Sequence, residues 1–193
     1  SEMCIRDRAI TALEHAYSQL PQAGRRHRIE HCAECPPRLL KRLSNLQAVI
    51  VTQPPFLYYS GERYLAQVPE SQLSWLYRIK TPSNSGLIVA GSSDSPVVPN
   101  NPLVGIYAAV TRRAESGQYL LPEECVSAGE ALAMYTVNAA YASFEEGIKG
   151  SITPGKLADM VVLSDDPTKV PSEAIKDIKV LMTIIDGKVV WKQ

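Results

Sequence analysis

Apolar residues at helical spacing open the chain. Ile10, Leu13, Ala16, Tyr17 and Leu20 fall on one face until Pro21 stops the pattern, which predicts a helix from about residue 9. Residues 28–32 (RIEHC) then give a short strand with polar residues at its end. Pro36-Pro37 opens a second helix whose apolar stripe is Leu39, Leu40, Leu43 and Leu46, with Arg38, Lys41 and Arg42 outside. The unbroken run AVIVT (48–52) has the pattern of a strand buried on both faces. A polar stretch carrying Tyr58, Tyr59 and Tyr64 follows, then a helix predicted over 71–79. Residues 87–90 form another doubly buried strand running into Gly91-Ser92-Ser93-Asp94. Asn101-Pro102 is an N-cap and first-turn pair for a helix carrying Leu103, Ile106, Tyr107 and Val110.

Strands alternating with helices imply right-handed crossovers and a parallel sheet. A doubly wound sheet and a (β/α) barrel both satisfy that order. Ser127 and Glu130 form a capping box that starts an alanine-rich helix to about residue 143. After it the period changes to that of strands, over 160–163, 180–185 and 189–191, with Asp186-Gly187 as the hairpin turn between the last two. The chain therefore ends in a small β unit outside the α/β part. There are no internal repeats or low-complexity segments.

Composition adds exclusions. With 193 residues, 45% of them hydrophobic, there is enough apolar material for a real core. The 20 basic and 20 acidic residues cancel, so no electrostatic reason exists to expect nucleic acid or an anionic membrane as partner. No apolar run approaches the roughly 20 residues that span a bilayer. Cys4, Cys32, Cys35 and Cys125 are too few for a disulfide scaffold, and a reducing, cytoplasmic location is expected. The opening SEMCIRDR (1–8) has neither the apolar core nor the cleavage site of a signal peptide. It resembles translated sequencing-adapter sequence and is taken as a leader foreign to the native protein.

Chemistry is suggested at two strand ends. RIEHC places His31, and GSSDSP places Asp94, at the C-terminal ends of buried strands. In a parallel α/β barrel that edge holds the active site. An imidazole and a carboxylate are what a hydrolytic metal site uses, one to bind metal and the other to accept a proton from bound water. Each residue has a plainer explanation, a core histidine bonded to a carbonyl and a turn-capping aspartate. Position alone favours the plain explanation for either, and the pair on one edge makes the two explanations even.

The segments RIEHC (28–32), GSSDSPV (91–97), NPLVGIYAAVTRR (101–113) and GSITPGKLADMVVL (150–163) resemble the amidohydrolase superfamily. The similarity is to amidohydrolase family 3, the branch of N-substituted formamide deformylase-like enzymes, and runs from about Ile10 to Trp191. The resemblance implies the C-terminal part of a (β/α)8 TIM barrel over 9–149, comprising strands 6 to 8, and the C-terminal strands of a small β-sandwich over 150–193. His31 matches the strand-6 metal-site histidine. Asp94 matches the strand-8 aspartate that serves as general base and often as metal ligand. The implied reaction is hydrolysis of a non-peptide, amide- or formamide-type C–N bond in a small-molecule substrate. Its cofactor is a divalent metal, zinc above others. His31 either holds metal or polarises the carbonyl, and the residues do not choose between these. Gln53, at the end of strand 7, is assigned a substrate contact from position. A homo-oligomer is admitted.

The family's His-x-His on strand 1 and its bridging ligand on strand 4 have no counterpart here, so the chain is expected to be an incomplete fragment that is itself inactive. Ile5-Arg6-Asp7 aligns with the Ile-Gly-Asp that follows the strand-5 histidine, which puts Met3 in the histidine's place: either the leader overwrote that histidine or this copy lost it, and the former is favoured. Two rival classes stand beside this reading. One is a non-catalytic remnant or partner-binding domain on the same scaffold. The other is a thiol oxidoreductase using Cys32-Ala-Glu-Cys35, for which the strand order is wrong; zinc on these thiols would need a second pair. Chance spacing accounts for the CxxC better. The tyrosines after strand 7 are expected to pack on the barrel rim or line a pocket, and His15 and His27 to be solvated.

Overall fold

The computed structural model describes residues 2–21 and 24–193, residues 2–4 by backbone alone. The side chain of Met3, aligned above with a histidine, lies outside the described residues. In chain order the α/β part comprises α1 (Glu2–Gln19), β1 (Arg28–Glu30), α2 (Pro37–Leu46), β2 (Val49–Thr52), α3 (Pro55–Gln67), α4 (Glu70–Leu73), α5 (Lys80–Asn84), β3 (Val89–Gly91), α6 (Pro102–Thr111), α7 (Ala128–Met134) and α8 (Val137–Ala142). The remaining strands are β4 (Met160–Leu163), β5 (Val180–Ile185) and β6 (Lys188–Lys192).

The first three strands pair in parallel in the order β1-β2-β3. Glu30 lies level with Val51, and Val51 with Ala90, so the three C-terminal ends form one edge. All four residues of β2 are buried. On one face Ile29, Ile50 and Val89 join the α2 leucines and Leu103, Ile106 and Met134 in the main core. On the other, Val49, Val51 and Ala90 pack with Ala142. The continuous apolar runs are thus strands covered on both faces, as their pattern predicts.

Tertiary contacts override local pattern at four places. The first eight residues, which carry no helical signal of their own, continue α1 back to Glu2. There Arg6 is buried, and Asp7 and Glu14 pair with Arg42 of α2, the Glu14 contact at 2.6 Å. The polar stretch after β2 is helix α3, begun by Pro54-Pro55. Its inner face carries buried Phe56, Leu57 and Gly61, with half-buried tyrosine rings beside them. Tyr58 meets Tyr107 edge-on at 5.7 Å, and a Cβ at Gly61 would lie 2.7 Å from Leu120 Cδ1. Tyr58, Tyr59 and Tyr64 are thus helical core-flanking residues and not loop residues.

The helix expected over 71–79 survives only as α4. Beyond it Tyr77 turns left-handed (φ 44°) and donates its amide to Ala33 O at 2.7 Å. Fully buried Arg112 holds this turn, donating to the carbonyls of Tyr77 (2.6 Å), Leu76 (3.2 Å) and Leu120 (2.9 Å). Arg112→Met leaves three buried carbonyls without that partner, and each costs roughly 1–3 kcal/mol. A fall in thermal midpoint of several degrees is expected, and an unchanged midpoint would show the ties to be dispensable.

The alanine-rich helix is two helices, α7 and α8, broken at Thr136 (φ −127°, ψ −95°). The adjoining Tyr135 ring lies against Gly91 and Gly105, where added Cβ atoms would fall 2.7 Å and 1.9 Å from it. The capping box at Ser127 and Glu130 is formed as expected.

At the C-terminal end β4, β5 and β6 make a separate antiparallel sheet. Asp186 and Gly187 both have positive φ, 51° and 72°, the conformation of a two-residue type I′ hairpin. Val161, Ile185, Val189, Val190 and Trp191 are exposed on it.

Candidate functional site

The C-terminal edge of the parallel sheet gathers the residues singled out by sequence. β1 stops at Glu30 because the next two residues leave extended geometry, His31 at φ 63° and Cys32 at φ 48°. Cys32 N donates to Glu30 O at 2.8 Å, closing a three-residue turn with His31 at its apex. Asp94, three residues past β3, is left-handed too, at φ 56°. For residues other than glycine such conformations cost on the order of 1–3 kcal/mol and collect where function needs them. Both candidate residues sit at such places.

His31 is exposed but its ring is held. Nδ1 lies 3.0 Å from Gln53 Oε1, and Gln53 Nε2 donates to Ser92 Oγ at 2.9 Å. Gln53 is only 2% exposed, and Ser92 is set level with β2 by its amide bond to Thr52 O at 2.8 Å. One polar chain thus crosses the ends of all three strands. Each polar end of the Gln53 amide makes one hydrogen bond within the protein. Ser92 carries no separate signal in the sequence beyond being a hydroxyl residue near Asp94.

No hydrogen bond reaches His31 Nε2 among the described residues, and the exposed Asp94 carboxylate has no partner there either. One sp² nitrogen and one free carboxylate at the same edge are a fitting donor pair for a divalent cation. They are a partial set: no group of three or more His, Cys, Asp or Glu side chains suited to a metal occurs among the described residues. Three concavities of several hundred Å³ lie away from the pair. One of about 440 Å³ is lined by Tyr135, Ala139, Gly150 and Met160, another of about 510 Å³ by Tyr17, Arg26, Gln47 and Tyr141, and a third of about 540 Å³ by Arg25, His27 and Phe144; none of the three includes His31 or Asp94. β1 and β3 are the outer strands of this sheet among the described residues.

Cys32 and Cys35 are both free and buried, 4% and 2% exposed. A hydrogen bond from the Cys32 thiol, helped by the Arg78 guanidinium, brings the Cys35 thiol down to about 7, while the same bond and burial push the Cys32 thiol up. Their burial in the core leaves a redox partner no approach. Tyr17 covers His27 with a ring separation of 5.6 Å, and both His15 and His27 stay exposed.

Residues 4–191 match the amidohydrolase family. The chain belongs to that family. Among its relatives are the putative amidohydrolase YtcJ of Bacillus subtilis, 28% identical over 90% of this chain and 33% of that protein. The N-substituted formamide deformylase of Arthrobacter pascens is 32% identical over 83% of this chain and 30% of its own length. The chain thus spans about a third of the curated relatives it matches. A metal-dependent hydrolase from Pyrococcus furiosus superposes with a TM-score of 0.68 at 33% identity, covering 84% of this amidohydrolase chain and 32% of that structure. Escherichia coli guanine deaminase shares the fold, with a TM-score of 0.64 at 21% identity. Among the described residues of this amidohydrolase, no helix is long and apolar enough to cross a membrane.

Proposed function

We propose that this amidohydrolase chain supplies barrel strands 6 to 8 and the closing strands of a small β-sandwich to a metal-dependent enzyme. The enzyme hydrolyses a non-peptide C–N bond in a small amide or formamide. The observation that carries this is the placement of His31 and Asp94 on one strand edge, in strained turns, with His31 Nε2 and the Asp94 carboxylate uncommitted. Family membership and the formamide deformylase among the relatives favour that substrate class.

His31 and Asp94 would hold part of the metal's coordination, with the remaining ligands outside the described residues. A bound divalent cation, for which zinc is our choice, would make hydroxide available near neutral pH by lowering the pKa of water to about 7. Asp94 then performs the proton work, accepting a proton from the attacking water on its carboxylate and passing it to the departing amine nitrogen. The exposed, unpaired carboxylate is free to do both. Gln53 and Ser92 hold the floor of the edge polar and ordered beneath His31.

His31→Ala in the complete protein tests this reading. Zinc content is expected to fall along with hydrolysis of a panel of N-substituted formamides, the latter by about 10²-fold or more. Wild-type zinc content together with wild-type rates would remove His31 from the site.

A further inference from the structure

We propose that Gln53 is a positioning residue that fixes His31 in its Nδ1–H tautomer and turns Nε2, lone pair outward, to the open edge. The proposal rests on the reading of His31 as a site residue, but is tested separately from it.

Gln53 Nε2 donates to Ser92 Oγ at 2.9 Å, and the amide presents its oxygen to His31 Nδ1. A carbonyl oxygen accepts only, and the 3.0 Å contact is satisfied only when Nδ1 carries the proton. A neutral imidazole protonated on Nδ1 has its lone pair on Nε2, which no other group engages among the described residues. Burial makes the arrangement costly to change. Gln53 is 2% exposed and follows the apolar run Val49–Thr52, so a withdrawn amide would leave buried polar atoms unpaired. The left-handed turn at His31 also leaves the imidazole without the support of an extended strand neighbour. Gln53 supplies that support from the next strand. An amide orients the ring without adding a negative charge behind it, as a carboxylate in the same place would.

The complete, metal-free protein labelled with ¹⁵N-histidine gives the test, the His31 ring nitrogens being assigned by their loss in His31→Gln. At a pH where the ring is neutral, wild type is expected to show a protonated Nδ1 and an unprotonated Nε2. Gln53→Met should move the population to the Nε2–H form, and Gln53→Glu, which keeps an acceptor in place, should retain Nδ1–H. Zinc affinity should fall 10–100-fold in Gln53→Met and be preserved in Gln53→Glu. A wild-type His31 in the Nε2–H form overturns the proposal, and so does a tautomer unmoved by Gln53→Met. If Gln53→Met does not fold, Ser92→Ala replaces it: losing the acceptor for Nε2 frees the amide to turn, and a mixed tautomer is expected. The unchanged Nδ1–H form in Ser92→Ala then counts against the proposal. Tautomers that follow Gln53 in a protein that binds no zinc through His31 would sustain the positioning role and refute the metal-site reading instead.

Discussion

Asp94→Asn in the complete protein is expected to lower turnover by about 10²–10⁴-fold, the range of a lost general acid–base group, while much of the metal stays bound. The amide keeps the shape of the side chain and a weak oxygen donor, but it neither accepts the proton of the attacking water nor returns it to the amine. The effect belongs to kcat more than to KM, because the proton moves only as the transition state forms. The Asp94 side chain is exposed and makes no hydrogen bond or ion pair with other described residues, so the substitution removes no structural tie that would confound the result. Measuring kcat, KM and zinc content together checks it. A wild-type kcat would take Asp94 out of the mechanism. Loss of all zinc with the activity would make it chiefly a ligand.

The second large effect concerns the 193-residue chain alone. Three parallel strands are present where a closed barrel needs eight, and β1 and β3 each present an unpaired backbone edge. The second sheet adds an apolar surface: every residue of β6 is exposed, including Val189 at 55% and Val190 at 56%. Surfaces of this kind associate in water. On the proposed reading, in which the remaining ligands lie outside these residues, the isolated chain is expected to self-associate and to hydrolyse nothing when zinc is added. Light scattering and a panel of amides and formamides check both. A soluble monomer with zinc-dependent turnover would mean that a whole site lies within these residues.

Elements announced by local chemistry are legible in the amino-acid sequence itself. Pro36-Pro37, Asn101-Pro102, the Ser127–Glu130 box and Asp186-Gly187 all act where they stand, because proline geometry, capping and left-handed turns are decided within a few residues. The doubly buried runs give β2 and β3 in the same way, their apolar continuity being a local signal. What escapes depends on partners far along the chain. Helix α3 follows Phe56 and Leu57 with tyrosine rings and Gly61, and the meaning of that glycine appears only against Leu120 and Ala114. The helix over 71–79 yields to Arg112, some thirty-five residues onward. Tyr135 breaks the alanine-rich helix because Gly91 and Gly105 leave room for its ring.

The site is legible to the same degree. Strand-end position and the family's motifs point to His31 and Asp94, and both stand on one edge. Position also marks Gln53, but not the direction of its amide, whose partners His31 and Ser92 lie at the ends of the two neighbouring strands. Cys32-Cys35, conspicuous in sequence, is packed into the core as a hydrogen-bonded thiol pair.

Anomalous scattering at the zinc edge, from crystals of the complete protein, tests the central claim most directly. The account predicts a zinc peak at the C-terminal edge of the parallel strands, about 2.0–2.1 Å from His31 Nε2, with the Asp94 carboxylate beside it. A zinc ion bound elsewhere, with His31 Nε2 and Asp94 both free of metal, would contradict it.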